Sequence, residues 1–513
     1  MNLEQNFSDI LAGVDVALSW RGLLFCFLGV TVGTFIGVLP GIGAMATMAM
    51  LVPLTFHVDP TTAIILLAGI YYGAAYGGAT CSILLNLPGT PVTAVTCLDG
   101  YPMAQQGRAG VALFMTTIAS FIGSIVGIIL LAVFSPPLAQ LALGFASQEY
   151  FSLMTLGLLS ACLLTSASPF RSLTAVVFGL LLGLVGIDVH SGQPRLTFGL
   201  PQLYEGLPLV ALMLGLFGLP EIIGNSSRMY TSGITTTKVT VRSMWPMKED
   251  WKRSWKAILR GSAIGSFFGA LPGTGGLLAS FVSYAVERKS SKYPEQFGKG
   301  AIEGVVGPEA ANNSAIPTAF IPTLTLGVPG DAIMALMLGV MMIHGVTPGP
   351  QLVTENPGMF WGLVISFLLG NIALLVLNIP LIGVWVRVLS IPYKLLLPSI
   401  VALVCIGIYS VNYAVSDLFM VMLFGLVGYG MLLLKLEPAP LVLGFVLGPL
   451  MEENFRRAML VSNGDLLTFF ERPVSAIFLW LCVALTLWMV YSEVRRHRIA
   501  VNEDRPAITA DKA

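Results

Sequence analysis

The chain has 513 residues, of which 55% are hydrophobic and only 11% are charged, and its mean hydropathy is +0.83. Soluble domains carry about 25% charged residues, so this composition excludes a soluble globular fold and predicts an all-α polytopic membrane protein. Basic and acidic residues balance at 27 each, so the bulk charge gives no reason to expect a nucleic-acid partner.

Long apolar runs follow one another along the chain in two sets separated by a polar stretch. At about 20 residues for each crossing, they predict roughly 11–13 spans together with re-entrant pieces. The runs lie at 20–56, 62–88, 109–133, 149–165, 170–187 and 203–224, and then at 255–286, 312–328, 331–346, 358–386, 395–413, 416–434, 438–450 and 473–491.

The polar stretch divides the chain into two halves. We predict an N-terminal transmembrane repeat at 1–224, a cytoplasmic linker at 225–256, a C-terminal transmembrane repeat at 257–494 and a cytoplasmic tail at 495–513. Lysine and arginine residues cluster in the linker, in the next polar loop at 288–299 and in the tail. The positive-inside rule therefore places all three in the cytoplasm.

Two neighbouring basic loops on one side of the membrane constrain the segment between them. The segment 257–286 must enter the membrane and return, which predicts a re-entrant helical hairpin with Pro272 and Gly273 at its tip. The matching hairpin of the first half is then 20–56. The alternative is a full span followed by a short kinked helix.

Short motifs repeat between the halves. GALPGTG at 269–275 repeats GVLPGIG at 37–43, an offset of 232 in residue number (269 − 37). Residues 74–79 then align with 310–315, Pro-Gly at 88–89 with Pro-Gly at 329–330, and 100–102 with 345–348. Because the matches occur in the same order, we predict two inverted repeats, each with two Pro-Gly breaks.

Proline and glycine break a helix and leave unpaired backbone groups, which lipid cannot satisfy. Helix N-termini attract anions, and freed carbonyls with Asn or Thr oxygens suit Na⁺, so duplicated breaks predict a transport site. Asn86 and Asn312 are also candidate Na⁺ ligands. The candidate substrate-binding residues are Pro40, Gly41, Gly43, Asn86, Pro88, Gly89, Thr90, Pro272, Gly273, Thr274, Gly275, Asn312, Asn313, Pro329, Gly330 and Asp331.

Several of these residues have simpler interpretations. Asp331 could only cap a helix, Asn312 and Asn313 could only join helices, and Glu309 could be an ordinary first-turn acid. The sequence lacks a phosphate-binding P-loop, His-Glu-x-x-His and Gly-x-Ser-x-Gly, so we expect neither an enzyme nor a cofactor other than a coupling ion. A passive anion channel or a structural membrane subunit remains an alternative, and an intramembrane enzyme is a more distant one.

The same motifs resemble the large membrane subunit (TctA type) of the bacterial tripartite tricarboxylate transporters. The resemblance rests on residues 37–56, on 71–113, on FGALPGTGG at 268–276 and on KGAIEGVVGPEAANNSAIPTAFIPTLTLGVPGD at 299–331. It implies a secondary transporter that imports a citrate-like di- or tricarboxylate by symport with Na⁺ or H⁺. It also implies a multi-pass protein of the bacterial inner membrane whose partners are a small four-span membrane subunit and a periplasmic solute-binding protein.

Overall fold

A computed structural model describes residues 3–39, 43–164, 168–188, 190–220, 223, 239–389 and 393–503. This part of the chain is helical apart from a two-stranded antiparallel sheet, β1 (Gly186–Ile187) and β2 (Pro194–Arg195), which confirms the predicted all-α class. Short 3₁₀ turns lie at Pro91–Thr93, Pro201–Leu203, Val241–Met244 and Pro294–Gln296, and π-helical turns at Ala104–Arg108 and Leu214–Gly218.

The α-helices of the described residues are numbered in chain order. They are α1 (Leu3–Leu18), α2 (Trp20–Val38), α3 (Ala44–Thr55), α4 (Pro60–Leu85), α5 (Ala94–Met103), α6 (Ala109–Ala142), α7 (Ser147–Leu164), α8 (Pro169–Gly183), α9 (Leu209–Met213), α10 (Lys248–Ala270), α11 (Gly275–Ser290), α12 (Glu303–Leu326), α13 (Ala332–Ile343), α14 (Pro350–Glu355), α15 (Pro357–Asn378), α16 (Ile382–Val388), α17 (Tyr393–Asn412), α18 (Val415–Leu433), α19 (Pro438–Val461), α20 (Thr468–Glu471) and α21 (Pro473–Glu503).

Several described helices are long and apolar enough to cross a bilayer. Six meet this criterion, and four shorter apolar helices accompany them. The six are Trp20–Val38, Pro60–Leu85, the continuous run Pro91–Ala142, Pro357–Asn378, Val415–Leu433 and Pro473–Val494. Helix α12 is buried along its whole length, but it contains prolines and acidic residues. Its length and composition therefore do not show whether it crosses the membrane. The total of 11–13 spans stays a prediction.

The chain packs into two compact units. The first comprises Met1–Gly144 and Val185–Leu434, and the second comprises Phe145–Leu184 and Lys435–Ala513. In the second unit, α8 and α19 pack closely because glycines of each helix lie against backbone carbonyls of the other. These units group helices by packing, so the predicted repeats and linker stay predictions. Of the linker 225–256, residues 225–238 lie outside the described residues, and α10 begins within it at Lys248.

In the first unit, α2 and α4 run parallel in close contact. Glycines four residues apart on α2 face successive backbone carbonyls of α4, and a methyl carbon at any of them would come within 3.0 Å of a carbonyl oxygen. Such small-residue stripes let helix backbones approach in the absence of a hydrophobic driving force. The facing pairs are Gly29 with Leu66, Gly33 with Ile70 and Gly37 with Ala74.

The second half repeats this packing with α10 and α12. The facing pairs are Gly261 with Gly307, Gly265 with Ala311 and Gly269 with Ala315. Equivalent residues of α2 and α10 differ in number by 232 (261 − 29), whereas equivalent residues of α4 and α12 differ by 241 (307 − 66). The predicted alignment of 74–79 with 310–315 is therefore wrong by five residues, because nine extra residues separate the two helices in the second half.

Helices α10 and α11 form the predicted hairpin. Only residues 271–274 separate the two helices, and Arg260 of α10 pairs with Glu287 of α11 away from this turn, so the two helices are antiparallel. Because α12 runs parallel to α10, the chain must return along α11 before α12 begins. The alternative of a full span followed by a kinked short helix does not give this geometry.

The two halves run in opposite directions. On α15, the Phe367 ring contacts both Tyr72 of α4 and Phe320 of α12. Further along α4, Gly78 lies against Thr93, and Thr96 of the helix that follows donates to Glu309, which lies three turns before Phe320. Successive contacts therefore involve later residues of the first half but earlier residues of α12. The equivalent helices α4 and α12 are thus antiparallel, as inverted repeats require.

Candidate functional site

The tip of the α10–α11 hairpin carries one Pro-Gly break. After the half-buried Pro272, Gly273 and Gly275 have φ of 83° and 60°, values that favour glycine. The Thr274 hydroxyl donates to carbonyls at the end of α10 and so closes that helix. The Gly273 N–H donates to the Gly330 carbonyl at 2.8 Å. The hairpin tip is therefore bonded to the other break of the same half.

That other break separates α12 from α13. Gly327 ends α12 with φ of 67°, and residues 327–330 are buried. Asp331 caps α13, since one carboxylate oxygen accepts the Met334 N–H at 2.8 Å. The other carboxylate oxygen accepts the Tyr71 hydroxyl of α4 at 2.8 Å. Helix capping by Asp331 is thus confirmed, and the same carboxylate also joins the two halves.

The corresponding break of the first half follows α4. Asn86 ends the helix with φ of 56°, and both Asn86 and Pro88 are exposed. Gly89 is buried, and a methyl carbon there would come within 3.0 Å of the Gly37 carbonyl and of the Gly78 backbone. Only glycine fits between these two helices, which explains the residue type at this position.

Thr90 begins the helical run that leaves this break. Its N–H donates to the Thr93 hydroxyl oxygen at 3.3 Å, and that hydroxyl donates to the Thr90 carbonyl at 2.9 Å. The run continues as Pro91–Ala142. Its N-terminus carries a partial positive charge that no acidic side chain of this turn neutralises.

The two breaks after α4 and α12 are equivalent in backbone but different in charge. Each has a left-handed residue at the helix end, then a packed glycine, then a capping residue, at the constant offset of 241. The pairs are Asn86 with Gly327, Gly89 with Gly330, and Thr90 with Asp331. The first-half break is therefore suited to an anion, whereas the second already holds a carboxylate.

Asn312 and Asn313 are neighbours on α12 but face different parts of the molecule. A methyl carbon at Gly276 would lie 2.9 Å from Asn312 Oδ1 and 3.6 Å from a Val92 methyl group, so Asn312 lies where α11 meets the first-half break. The Asn313 side chain instead donates to Ser120 Oγ on α6 at 2.8 Å. Of these two candidate substrate-binding residues, Asn312 therefore faces the first-half break, whereas Asn313 joins α12 to α6.

Some of the remaining predicted site residues lie outside the described part of the chain, and others lie within it. Pro40 and Gly41 lie outside the described residues, and Gly43 is buried at the start of α3. Among the described residues, no group of three His, Cys, Asp or Glu side chains could hold a metal ion. Asn86 is exposed at a helix end and Asn312 is buried within a helix, so their pairing around Na⁺ stays a prediction.

Two ion pairs brace the open end of the hairpin. Arg253 of α10 makes two hydrogen bonds to the Glu303 carboxylate at 2.8 and 2.6 Å, which raise the pKa of its guanidinium. Arg260 holds Glu287 of α11 in the same bidentate way. Such pairs fix geometry as well as charge.

The sequence analysis did not name Tyr71 as a site residue, and it treated Glu309 only as a possible first-turn acid. Tyr71 and Asn312 differ in number by 241 (312 − 71), so the corrected repeat alignment would have marked Tyr71 as the first-half counterpart. Glu309 is 1% exposed and accepts hydroxyl donors from Thr96 and Ser120. A carboxylate within an apolar run is the sequence signal that could have singled it out.

The family model described as "Tripartite tricarboxylate transporter TctA family" matches residues 23–443. The chain belongs to this TctA family. An uncharacterized 52.8 kDa protein in the TAR-I ttuC′ 3′ region of Agrobacterium vitis is 46% identical over 499 residues, covering 97% of this chain and 99% of that protein. An uncharacterized protein in the TAR-II ttuC′ 3′ region of the same organism is 48% identical over 242 residues, covering 47% of this chain and all of that protein.

No solved structure matches the chain. Membership of the TctA family makes the chain a subunit of a tripartite tricarboxylate transporter system, which works with other subunits. The apolar helices and the family together make it a multi-pass membrane protein. The predicted resemblance to the TctA family is confirmed.

Proposed function

We propose that this TctA-family chain translocates a citrate-like di- or tricarboxylate across the bacterial inner membrane by symport with Na⁺ or H⁺. A periplasmic solute-binding protein delivers the substrate, and a small four-span subunit completes the complex. The linker and the C-terminus face the cytoplasm. The chain itself catalyses no covalent reaction.

The observation that carries this proposal is the helix N-terminus at Thr90, whose first turn contains no acidic residue and which lies next to the closely packed Gly89. A carboxylate bound there would be stabilised by the partial positive charge of the helix end and by the Thr90 hydroxyl. Val92 lies within reach of the same Gly276 position as Asn312, whose Nδ2 has no hydrogen-bond partner among the described residues. Asn312, which belongs to the second half, could therefore donate a hydrogen bond to a second carboxylate of the substrate.

The test is uptake of labelled citrate into proteoliposomes that contain the chain, its small partner subunit and a binding protein. Accumulation above the external concentration under a Na⁺ or proton gradient, and none without a gradient, is expected. Uptake that only equilibrates would favour a passive channel. Failure to accumulate citrate or other di- and tricarboxylates under either gradient would contradict the proposal.

Thr90→Val tests the placement of the substrate. Removing the hydroxyl at the helix start should raise the KM for uptake by about tenfold, because one hydrogen bond to a charged group contributes about 1.5–3 kcal/mol. Thr354→Val, at an exposed helix position, is the matched control and should leave KM unchanged. A normal KM for Thr90→Val would place the substrate elsewhere.

A further inference from the structure

Glu309 is a buried carboxylate that no positively charged side chain of the described residues pairs with. It lies on α12 and is 1% exposed, and no ion pair of the described residues includes it. The Thr96 hydroxyl donates to Oε1, and the Ser120 hydroxyl lies 3.5 Å from Oε2. By contrast, Glu287 of the neighbouring hairpin and Glu303 at the start of α12 are each held by an arginine of α10.

The absence of a basic partner has an energetic consequence. Burying an ionised carboxylate costs several kcal/mol even after relaxation of the protein, and two hydroxyl donors offset only part of this cost. Among the described residues, the titratable groups that interact with Glu309 are Tyr76 on α4 and Cys97 on α5, neither of which supplies a positive charge. The site therefore requires a cation from outside the chain, either a metal ion or a proton.

Asn313 adds an unused acceptor to the same cluster. Its Nδ2 donates to Ser120 Oγ at 2.8 Å and to the Glu309 carbonyl at 3.0 Å. Because the carbonyl can only accept, this amide cannot be flipped without loss of a bond. Among the described residues, Asn313 Oδ1 has no hydrogen-bond partner, and the side chain is fully buried. A buried carboxylate that accepts two hydroxyls, with an orphaned amide oxygen one turn further along the same helix, supplies the oxygen ligand types that a hard cation takes.

We propose that Glu309, with Thr96, Ser120 and Asn313, binds the coupling cation of the transport cycle. The shared chemistry is one positive charge placed on the Glu309 carboxylate, and Na⁺ and H⁺ are its two possible sources. This inference rests on the proposed function, because it assigns the ion of that symport to a particular residue.

The position of the cluster explains how cation and substrate are coupled. Glu309 and Asn313 belong to the second half, whereas Thr96 and Ser120 belong to the first. Thr96 lies six residues after Thr90, on the helix that leaves the proposed substrate site. A cation at Glu309 therefore fixes α5 and α6 against α12, and this arrangement also orders the helix end that receives the carboxylate. Differential binding of this kind is what couples two sites.

Glu309→Gln tests the inference by removing the charge at nearly constant shape. In the proteoliposome assay, gradient-driven accumulation should fall by about tenfold or more, while exchange of labelled for unlabelled substrate without a gradient persists. Glu303→Gln, on the same helix but paired with Arg253, should keep the gradient dependence of wild type. Separate Na⁺ and proton gradients identify which cation drives the wild-type protein and is lost in Glu309→Gln.

A second measurement does not depend on transport. The purified full chain is melted in NaCl or choline chloride at equal ionic strength, and at pH 6 and pH 8. We expect the melting temperature of wild type and Glu303→Gln to respond to the driving cation, and that of Glu309→Gln not to respond. An unchanged cation response in Glu309→Gln, or accumulation with wild-type ion dependence, would overturn the assignment. Absence of wild-type accumulation would instead contradict the proposed function.

Discussion

At the residue scale, Asp99 shows how one side chain can hold a distant loop. It lies on α5, is fully buried and accepts the N–H groups of Gly298, Gly300 and Ala301, each at 2.8 Å. The Tyr284 hydroxyl donates to its second oxygen at 2.9 Å. A first-half carboxylate thus organises the loop that precedes α12, although that loop belongs to the other half of the chain.

Asp99→Ala should therefore destabilise the protein strongly. The three N–H groups would lose their acceptor inside the protein, and each unsatisfied buried donor costs about 1–3 kcal/mol. Thermal unfolding of the detergent-purified chain should show a lower melting temperature than wild type. Asp15→Ala, at an exposed position on α1, is the matched control and should behave like wild type. A stable Asp99→Ala protein would mean that water replaces the carboxylate.

The sequence could predict the roles of residues whose partners lie close in the chain, but not the roles of residues whose partners lie far apart in it. The Pro-Gly breaks, and the capping of α13 by Asp331, follow from backbone chemistry within a few residues, so sequence was sufficient. Tyr71 and Asp331 meet across 260 residues, and no local pattern signals such a contact. Likewise, nothing in the sequence distinguishes the side of α12 that Asn312 faces from the side that Asn313 faces.

At the element scale, the glycine stripes on α2 and α10 determine how closely the helix pairs approach. Gly265→Ala should push α10 and α12 apart, because its methyl carbon would overlap the backbone carbonyl of Ala311. Overpacking of this kind typically costs about 1–3 kcal/mol, seen as a lower melting temperature. Gly430→Ala on α18, with no atom within 4 Å of the added carbon, should be neutral or slightly stabilising. Equal melting temperatures for the two variants would argue against the close packing.

The repeats show where motif matching succeeds and where it fails. The Pro-Gly pairs aligned correctly because proline and glycine at a break have a backbone reason to persist in both halves. Residues 74–79 were misaligned because helix packing needs only small residues at a four-residue spacing, and Ala, Gly and Ser satisfy that need in several registers. The facing carbonyls, which only the fold reveals, fix the offset at 241.

At the scale of the whole molecule, the opposite directions of α4 and α12 lead us to expect equivalent surface positions on opposite sides of the membrane. Repeat symmetry relates Arg21 at the start of α2 to Arg253 near the start of α10, by the offset of 232. The loop after α3, at His57, corresponds to the basic loop after α11. We therefore predict that the hairpin at 20–56 and the α10–α11 hairpin open on opposite faces of the membrane.

Cysteine labelling measures this directly, in a background where the exposed Cys405 is replaced by serine. The sites are exposed and related by the repeat: Lys252→Cys and Lys292→Cys in the second half, Arg21→Cys and His57→Cys in the first. A membrane-impermeant maleimide should label the first two only in inside-out vesicles and the last two only in right-side-out vesicles. Labelling of all four from one face would contradict the inversion. Labelling of Lys252→Cys and Lys292→Cys from opposite faces would show that α10 and α11 cross the membrane rather than return.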